Sequence, residues 1–341
     1  MRSRVANPVG EIRDKLNLLV YAFRRNRWML DTSRWYRTYP KVRIDRPIFL
    51  LGTQGGGLTL VARMLKRHRQ VVTVTGDHRY WTGADEIQNV LGQILPRQLT
   101  GIKHKAPADD MFPPPRGWLY AVDRLIDLYR NTAEDATVEL RDEFQRILRW
   151  AIHRQSGSAA SVRFLDKSQL YTVKVAFLDA LLKGCQPRFL LVTRDPYAIC
   201  YRSASGKARS LSLLSDRFSF EERLRLAAQH WTNSMRRALE DGEHVEWFKA
   251  VRFEDVLSSP EQQLREICQF VELTFDPDML PQPDHRVPFG SRFEGRWYPL
   301  RPDVNTPYLE EMTSEHVQII AEYCQGTAKT LGYEVPRRKG L

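Results

Sequence analysis

The stretch Gly52-Thr53-Gln54-Gly55-Gly56-Gly57-Leu58-Thr59 follows the apolar run Ile48-Phe49-Leu50-Leu51 and leads into Leu60-Val61. This is the order strand, glycine-rich turn, helix. Glycines let backbone N–H groups converge on an anion without Cβ clashes, and the helix N-terminus adds its dipole. Thr59 places a hydroxyl where it can touch a phosphate. Gly52 and Gly57 have the outer spacing of the GxxxxGK[ST] phosphate loop, but Leu58 stands at the lysine position. An enzyme that transfers the terminal phosphate of ATP or GTP needs that lysine, so this chemistry is disfavoured.

A second charged turn closes another apolar run, Phe189-Leu190-Leu191-Val192-Thr193-Arg194-Asp195-Pro196. Arg194 at the carboxyl end of a strand suits a phosphate, because ligands of open α/β sheets bind at that edge. Pro196 suits the first position of the next helix.

These segments resemble sulfotransferases that use 3′-phosphoadenosine 5′-phosphosulfate. The glycine-rich stretch is similar to that family's 5′-phosphosulfate loop, GxxRSGTTLL. Gly52, Gly57, Thr59 and Leu60 match, while Gly55, Gly56 and Leu58 stand where the arginine, the serine and the first threonine would be. Arg194, Asp195 and Pro196 match the 3′-phosphate motif RdPxxxxxS, whose serine position holds Arg202, with Ser203 one step on. Arg163-Phe164-Leu165-Asp166-Lys167-Ser168, followed by Phe177-Leu178-Asp179-Ala180-Leu181, resembles the EKTP…FxxL stretch. Arg252-Phe253-Glu254-Asp255-Val256-Leu257, with Pro260 and Leu264, resembles the scaffold segment YEDLxxxPxxxL. Arg292-Phe293-Glu294-Gly295-Arg296-Trp297 resembles the late GRW loop over the 3′-phosphate and adenine.

The resemblance spans roughly residues 46–335 and implies a P-loop-type α/β three-layer sandwich with a mostly parallel central sheet and a helical insertion. It implies sulfuryl transfer to an acceptor hydroxyl, with the phosphosulfate nucleotide as co-substrate and no metal. The nucleotide would be bound by Thr53, Gln54, Gly55, Gly56, Gly57, Leu58, Thr59, Arg194, Arg202 or Ser203, Arg292, Arg296 and Trp297. Lys167 matches the lysine that stabilises the leaving phosphate bridge. The family places its base after the second strand, where Asp77 and His78 stand. A neutral imidazole accepts a proton at pH 7, and Asp77 could orient it or be the base itself. Tyr80, Trp81, Asp85 and Glu86 could line an acceptor pocket or belong to the core. The alternatives are an ATP-dependent phosphotransferase, which the missing lysine disfavours, and a non-catalytic binding relative, which the departures at Gly55 and Arg202 suggest.

The positioning elements follow from apolar periodicity. Strands are expected at Ile48–Leu51, Val71–Val74, Phe189–Thr193 and Phe248–Phe253, and helices at Leu60–Leu65, Leu119–Ile152 and Tyr171–Lys183. Ser219 and Glu222 form a capping box opening a helix with Leu224, Ala228, Trp231, Met235 and Leu239 inward. Ser259-Pro260 starts another, with Leu264, Ile267, Cys268 and Val271 inward. Alternating strands and helices argue for a doubly wound sheet. Residues 79–165 lack this alternation and read as an inserted helical region that builds the acceptor site. Residues 1–45 read as an N-terminal helical appendage, 46–335 as the main domain and 336–341 as a basic tail.

The 341 residues carry a net charge of +11, which favours anionic partners. No zinc-finger, RNP-type or long Lys/Arg tract supports nucleic acid. The basic balance tilts the acceptor toward a glycan or a lipid-linked sugar. Cys185, Cys200, Cys268 and Cys324 show no metal or disulfide spacing and read as reduced thiols of a cytoplasmic protein. The basic, amphipathic segment around Leu16–Trp28 packs on its own domain or lies on a membrane surface. No apolar run is long enough to span a bilayer.

Overall fold

The computed structural model of the chain describes residues 38–74, 86–91, 95–99, 119–156, 162–207, 211, 214–282 and 300–336, together with Ile12 and Leu16. The core strand β1 (Ile48–Leu51) is buried along its whole length. A strand covered on both faces reads as an unbroken apolar run, and here the run splits by alternation. Phe49 and Leu51 enter one hydrophobic core, and Ile48 and Leu50 enter another. The strand β4 (Arg188–Thr193) divides the same way, with Phe189 and Leu191 on one side and Leu190 and Val192 on the other.

With β2 (Val71–Val72), β3 (Arg163–Asp166) and β5 (Phe248–Arg252), these strands form a five-stranded sheet of order β2-β3-β1-β4-β5. Every pairing is parallel, and Phe49 faces Asp166 on one side and Phe189 on the other. The chain starts in the middle and builds first to one side, then to the other. The carboxyl edge beside β1 is therefore a topological switch point, where doubly wound sheets bind ligands.

One helical layer contains α1 (Leu58–Lys66), a short helix Phe253–Ser258 and the helix Pro260–Val271. On the opposite face lie α2 (Ile87–Val90), α3 (Asp123–Tyr129), α4 (Val138–Ser156), α5 (Val175–Leu181), α6 (Pro196–Arg202) and α7 (Phe220–Gly242). The C-terminal helix Ser314–Thr330 packs against α7. This is the expected three-layer arrangement. The Ser219 capping box forms as read, and α7 buries Leu224, Ala228, Trp231 and Met235. Each fully buried leucine or methionine contributes about 1.5–3 kcal/mol, so the inward stripe fixes the helix.

The structure corrects four local expectations. The strand β3 was hidden because half of it is charged. Arg163 is buried against Asp45, while Asp166 accepts backbone N–H groups of Ile87 and Ser168 at 2.8 Å each. The expected helix Leu119–Ile152 is broken between α3 and α4, because Arg130 turns extended and Thr132 with Asp135 caps a new turn. The expected helix Tyr171–Lys183 is a 3-10 turn, Gln169–Val173, followed by α5. Val42 and Ile44, within the stretch read as an appendage, are buried in the core, and the rest of residues 1–37 apart from Ile12 and Leu16 lies outside the described residues.

Candidate active site

The glycine-rich turn leaves β1 at the carboxyl edge of the sheet. Its first peptide is pinned by Thr172, whose Oγ1 accepts from Gly52 N at 2.7 Å and donates to Gly52 O at 3.2 Å. Gly56 N then donates to Thr53 O at 3.0 Å, closing a tight turn. At Gly57 the backbone has φ +98, and an added Cβ would lie 2.1 Å from the Phe253 ring. Only glycine lets the turn approach that ring. Gly57 is also the N-cap of α1, without a side-chain acceptor, and the first turn of α1 has no acidic residue. The positive end of the helix dipole is therefore left uncompensated.

Gly55 makes room for something different. Its φ is +84, and a Cβ there would lie 2.6 Å from Arg202 Nη1. The guanidinium of Arg202 thus sits where a side chain at position 55 would begin. Arg202 Nη1 is buried without a hydrogen-bond partner. Arg194 comes to the same place from the end of β4. Its Nη1 donates to Gly55 O at 2.7 Å, its Nε to Asn305 Oδ1 at 2.8 Å and its Nη2 to Val304 O at 3.3 Å. Burial first, and the charge of Arg202 second, hold the Arg194 pKa below its usual value. Two like charges gathered at one glycine disfavour each other unless an anion joins them.

Arg194 does not pair with its neighbour Asp195. The Asp195 carboxylate instead caps α6, accepting from Tyr197 N at 2.8 Å, and burial raises its pKa to about 6. Glu254 buttresses this corner by accepting from Asp195 N at 2.9 Å, Asn305 Nδ2 at 2.6 Å and Tyr333 Oη at 3.0 Å. Phe253 and Glu254, read as scaffold, thus shape the turn and the arginine pair respectively.

Lys167 leaves β3 on the same edge, because the parallel register sets Asp166 beside Phe49. It is buried and ion-paired with Glu86, whose other oxygen accepts from Gln88 Nε2 at 2.6 Å. Neighbouring Asp166 is pushed up to about 6 by burial, despite its two backbone donors.

The structure thus gathers Gly55, Arg194 and Arg202 at one point and brings Lys167 to the same sheet edge. Thr53, Gln54 and Ser203 share the wall of one cleft with His230. The Leu58 side chain is in the core, so that residue can offer a ligand only its backbone. Asp77, His78, Tyr80, Trp81, Asp85, Arg292, Arg296 and Trp297 lie outside the described residues. Asn305, Glu254 and His230 were not read as site residues. His230 alone carried a signal, falling beside Ala227 and Trp231 on the inward stripe of α7. Among the described residues no cluster of His, Cys, Asp or Glu is arranged to hold a metal, and the four cysteines are free.

The sequence profile described as "Sulfotransferase family" matches residues 47–277, more than half of the chain. No curated protein sequence matches. Among solved structures, the fold is similar to the sulfotransferase domain from the curacin biosynthetic pathway, with a TM-score of 0.52 and 18% identity. That match covers 86% of this chain and 100% of the other. It is similar also to sulfotransferase STF9 from Mycobacterium avium, with a TM-score of 0.51 and 17% identity, over 98% of this chain and 89% of the other. With the profile spanning β1, the glycine-rich turn, Lys167, Arg194 and the Phe253–Glu254 corner, the chain belongs to the sulfotransferase family.

Proposed function

We propose that the chain moves a sulfuryl group from 3′-phosphoadenosine 5′-phosphosulfate to an acceptor hydroxyl. The observation that carries the reading is the convergence of Arg202 Nη1 and Arg194 on Gly55. The family pattern has an arginine where Gly55 stands and a serine where Arg202 stands. In this chain the cation comes from α6 into the space the loop side chain vacates. The buried, unpartnered Nη1, the uncapped α1 and the glycine cradle fit the 5′ phosphosulfate end of the nucleotide.

When bound, the nucleotide supplies an activated sulfuryl group: the acceptor oxygen bonds to sulfur, and the bridging S–O bond breaks toward the phosphate. The chain's contribution is positioning and charge neutralisation, as in phosphoryl transfer. Arg194 and Arg202, which the family pattern would set on the 3′-phosphate, are here read at the 5′ end: the loop amides and Arg202 hold it, and Arg194 braces the loop through Gly55 O while adding positive potential. Lys167 serves the leaving bridge oxygen, with Glu86 fixing its ammonium. Asp77 or His78 takes the acceptor proton. The family pattern assigns Arg292, Arg296 and Trp297, outside the described residues, to the 3′-phosphate and adenine end. Calorimetric titration tests this reading: adenosine 3′,5′-bisphosphate should bind at least tenfold more tightly than ATP, a gap of about 1.4 kcal/mol. Preference for ATP would replace it with phosphotransfer, and binding without any sulfate transfer would leave a non-catalytic relative.

No helix among the described residues is long and apolar enough to cross a membrane. From the reduced thiols read in the sequence we propose a cytoplasmic location, with the basic N-terminal segment either packing on its own domain or making peripheral membrane contact.

A further inference from the structure

The sulfotransferase profile ends at residue 277, yet Val304 O and Asn305 Oδ1, which accept from Arg194, both come after it. So does Glu311 O, at the end of the short helix Thr306–Glu311. It accepts at 3.3 Å from Tyr201 Oη, on the residue before Arg202. A further contact of this kind comes from just past the C-terminal helix, which ends as a Schellman motif. Gly332 has φ +75 and donates to Lys329 O at 3.1 Å, while Tyr333 N donates to Ala328 O at 2.9 Å. The left-handed glycine reverses the chain. It delivers Tyr333, buried, to the ends of β4 and β5.

Tyr333 closes a circuit of side chains. Its Oη donates to Glu254 Oε2 at 3.0 Å, and so accepts from Thr193 Oγ1 at 2.9 Å. Glu254 Oε1 accepts from Asn305 Nδ2 at 2.6 Å, and Asn305 Oδ1 accepts from Arg194 Nε at 2.8 Å. Arg194 follows Thr193 in the chain, so the circuit returns to the peptide where it began. Arg194 is thereby fixed at its backbone and at its guanidinium. Burial, then the charge of Glu254, push the Tyr333 pKa far up, so the phenol stays a donor. Arg252 lies over the face of the Tyr333 ring, 4.5 Å from its centroid, and holds the ring without using the hydroxyl. The two parts of the side chain therefore have separate tasks: the ring packs, and the hydroxyl keeps Glu254 turned toward Asn305. Without that donor the carboxylate is freer to rotate, and Arg194 Nε loses its fixed acceptor.

We infer that Tyr333 is a positioning residue for the nucleotide site, acting through Glu254 and Asn305 on Arg194, and that the C-terminal segment past the family profile is part of that site. The inference rests on the sulfotransferase reading for what Arg194 serves, but the circuit is testable without a ligand. Tyr333→Phe removes the hydroxyl and keeps the ring under Arg252. In the ligand-free full chain, hydrogen exchange of the Arg194 Nε–H is followed by NMR, the signal being assigned by its loss in Arg194→Lys. Tyr333→Phe should speed that exchange at least about tenfold. It should also weaken binding of adenosine 3′,5′-bisphosphate about fivefold in calorimetric titration, as a buried hydrogen bond to a charged group is lost. In the Arg194→Lys background the same substitution should change the Kd by less than about twofold, because the circuit has already lost its arginine. Thr193→Val, which breaks the other bond to Tyr333, should move exchange and Kd in the same direction as Tyr333→Phe. A purely structural Tyr333 would lower the urea midpoint and leave exchange and Kd unmoved, and that result overturns the inference. A penalty of equal size with and without Arg194 overturns it as well. If the parent binds no bisphosphate, the donor reading falls by itself; unchanged exchange then still overturns the circuit, and faster exchange still supports it.

Discussion

Replacement of Arg202 by alanine probes the site through a group the fold does not need. Arg202 Nη1 is buried and has no hydrogen-bond partner, and its charge pushes against Arg194. Its removal therefore breaks no internal hydrogen bond at Nη1 and relieves a repulsion, so folding stability should change by less than about 0.5 kcal/mol. Binding should respond strongly. A hydrogen bond to a charged group contributes about 1.5–3 kcal/mol, which converts to about a 10- to 150-fold rise in the Kd for adenosine 3′,5′-bisphosphate. Arg202→Lys keeps the charge but loses the planar fork, so its loss should be smaller. Gly55→Ala should act through the same contact: its Cβ would fall 2.6 Å from Arg202 Nη1, and at φ +84 the side chain adds about 1–2 kcal/mol of backbone strain. With the guanidinium already displaced, the double variant Gly55→Ala, Arg202→Ala should bind only slightly worse than Arg202→Ala, a non-additivity that a double-mutant cycle reads directly. Titration of the variants, with urea unfolding as the stability control, decides the matter. A Kd for Arg202→Ala within twofold of the parent would refute the reasoning.

Glu86→Gln should destabilise the fold by about 3–5 kcal/mol in urea unfolding, because it leaves the buried Lys167 ammonium without its carboxylate; Glu86→Gln with Lys167→Met should recover most of that loss. Asp195→Asn should flatten the pH dependence of stability. The native carboxyl, with its pKa raised to about 6, still holds a proton where the unfolded one, near 3.9, has lost it. The native state therefore binds more protons between about pH 4 and pH 6, and this group's contribution to stability falls as pH rises through that window. The asparagine cap removes that fall, and urea midpoints at pH 4.5 and 7 should differ less for the variant than for the parent. Glu254→Gln should loosen Asn305, Asp195 and Tyr333 together, and so weaken nucleotide binding about tenfold although Glu254 touches no ligand, readable in the same titration.

Strands β1 and β4 were legible because an apolar run bounded by glycine, proline or charge has few other readings. The helices α7 and Pro260–Val271 were legible from their caps and their inward stripes. Strand β3 escaped because Arg163 and Asp166 look solvated until Asp45 and two backbone N–H groups supply their partners. The break before α4 did carry a local signal, Thr132 with Asp135, which a reading by apolar periodicity passes over. At the site, the two departures from the family pattern, Gly55 and Arg202, were each visible in the sequence. That one compensates the other depends on α6 crossing back over the turn, a tertiary fact. The pairing of Lys167 with Glu86 and the role of Asn305 are illegible for the same reason: each joins residues that only the folded sheet edge brings together.

The most direct test is a crystal structure of the protein with adenosine 3′,5′-bisphosphate. The 5′-phosphate should rest on the amides following Gly55, with the Arg202 fork within hydrogen-bond distance of its oxygens and Arg194 still bonded to Gly55 O. A nucleotide bound away from the turn, or an Arg202 swung onto a protein carboxylate with the phosphate left uncontacted, would contradict the account.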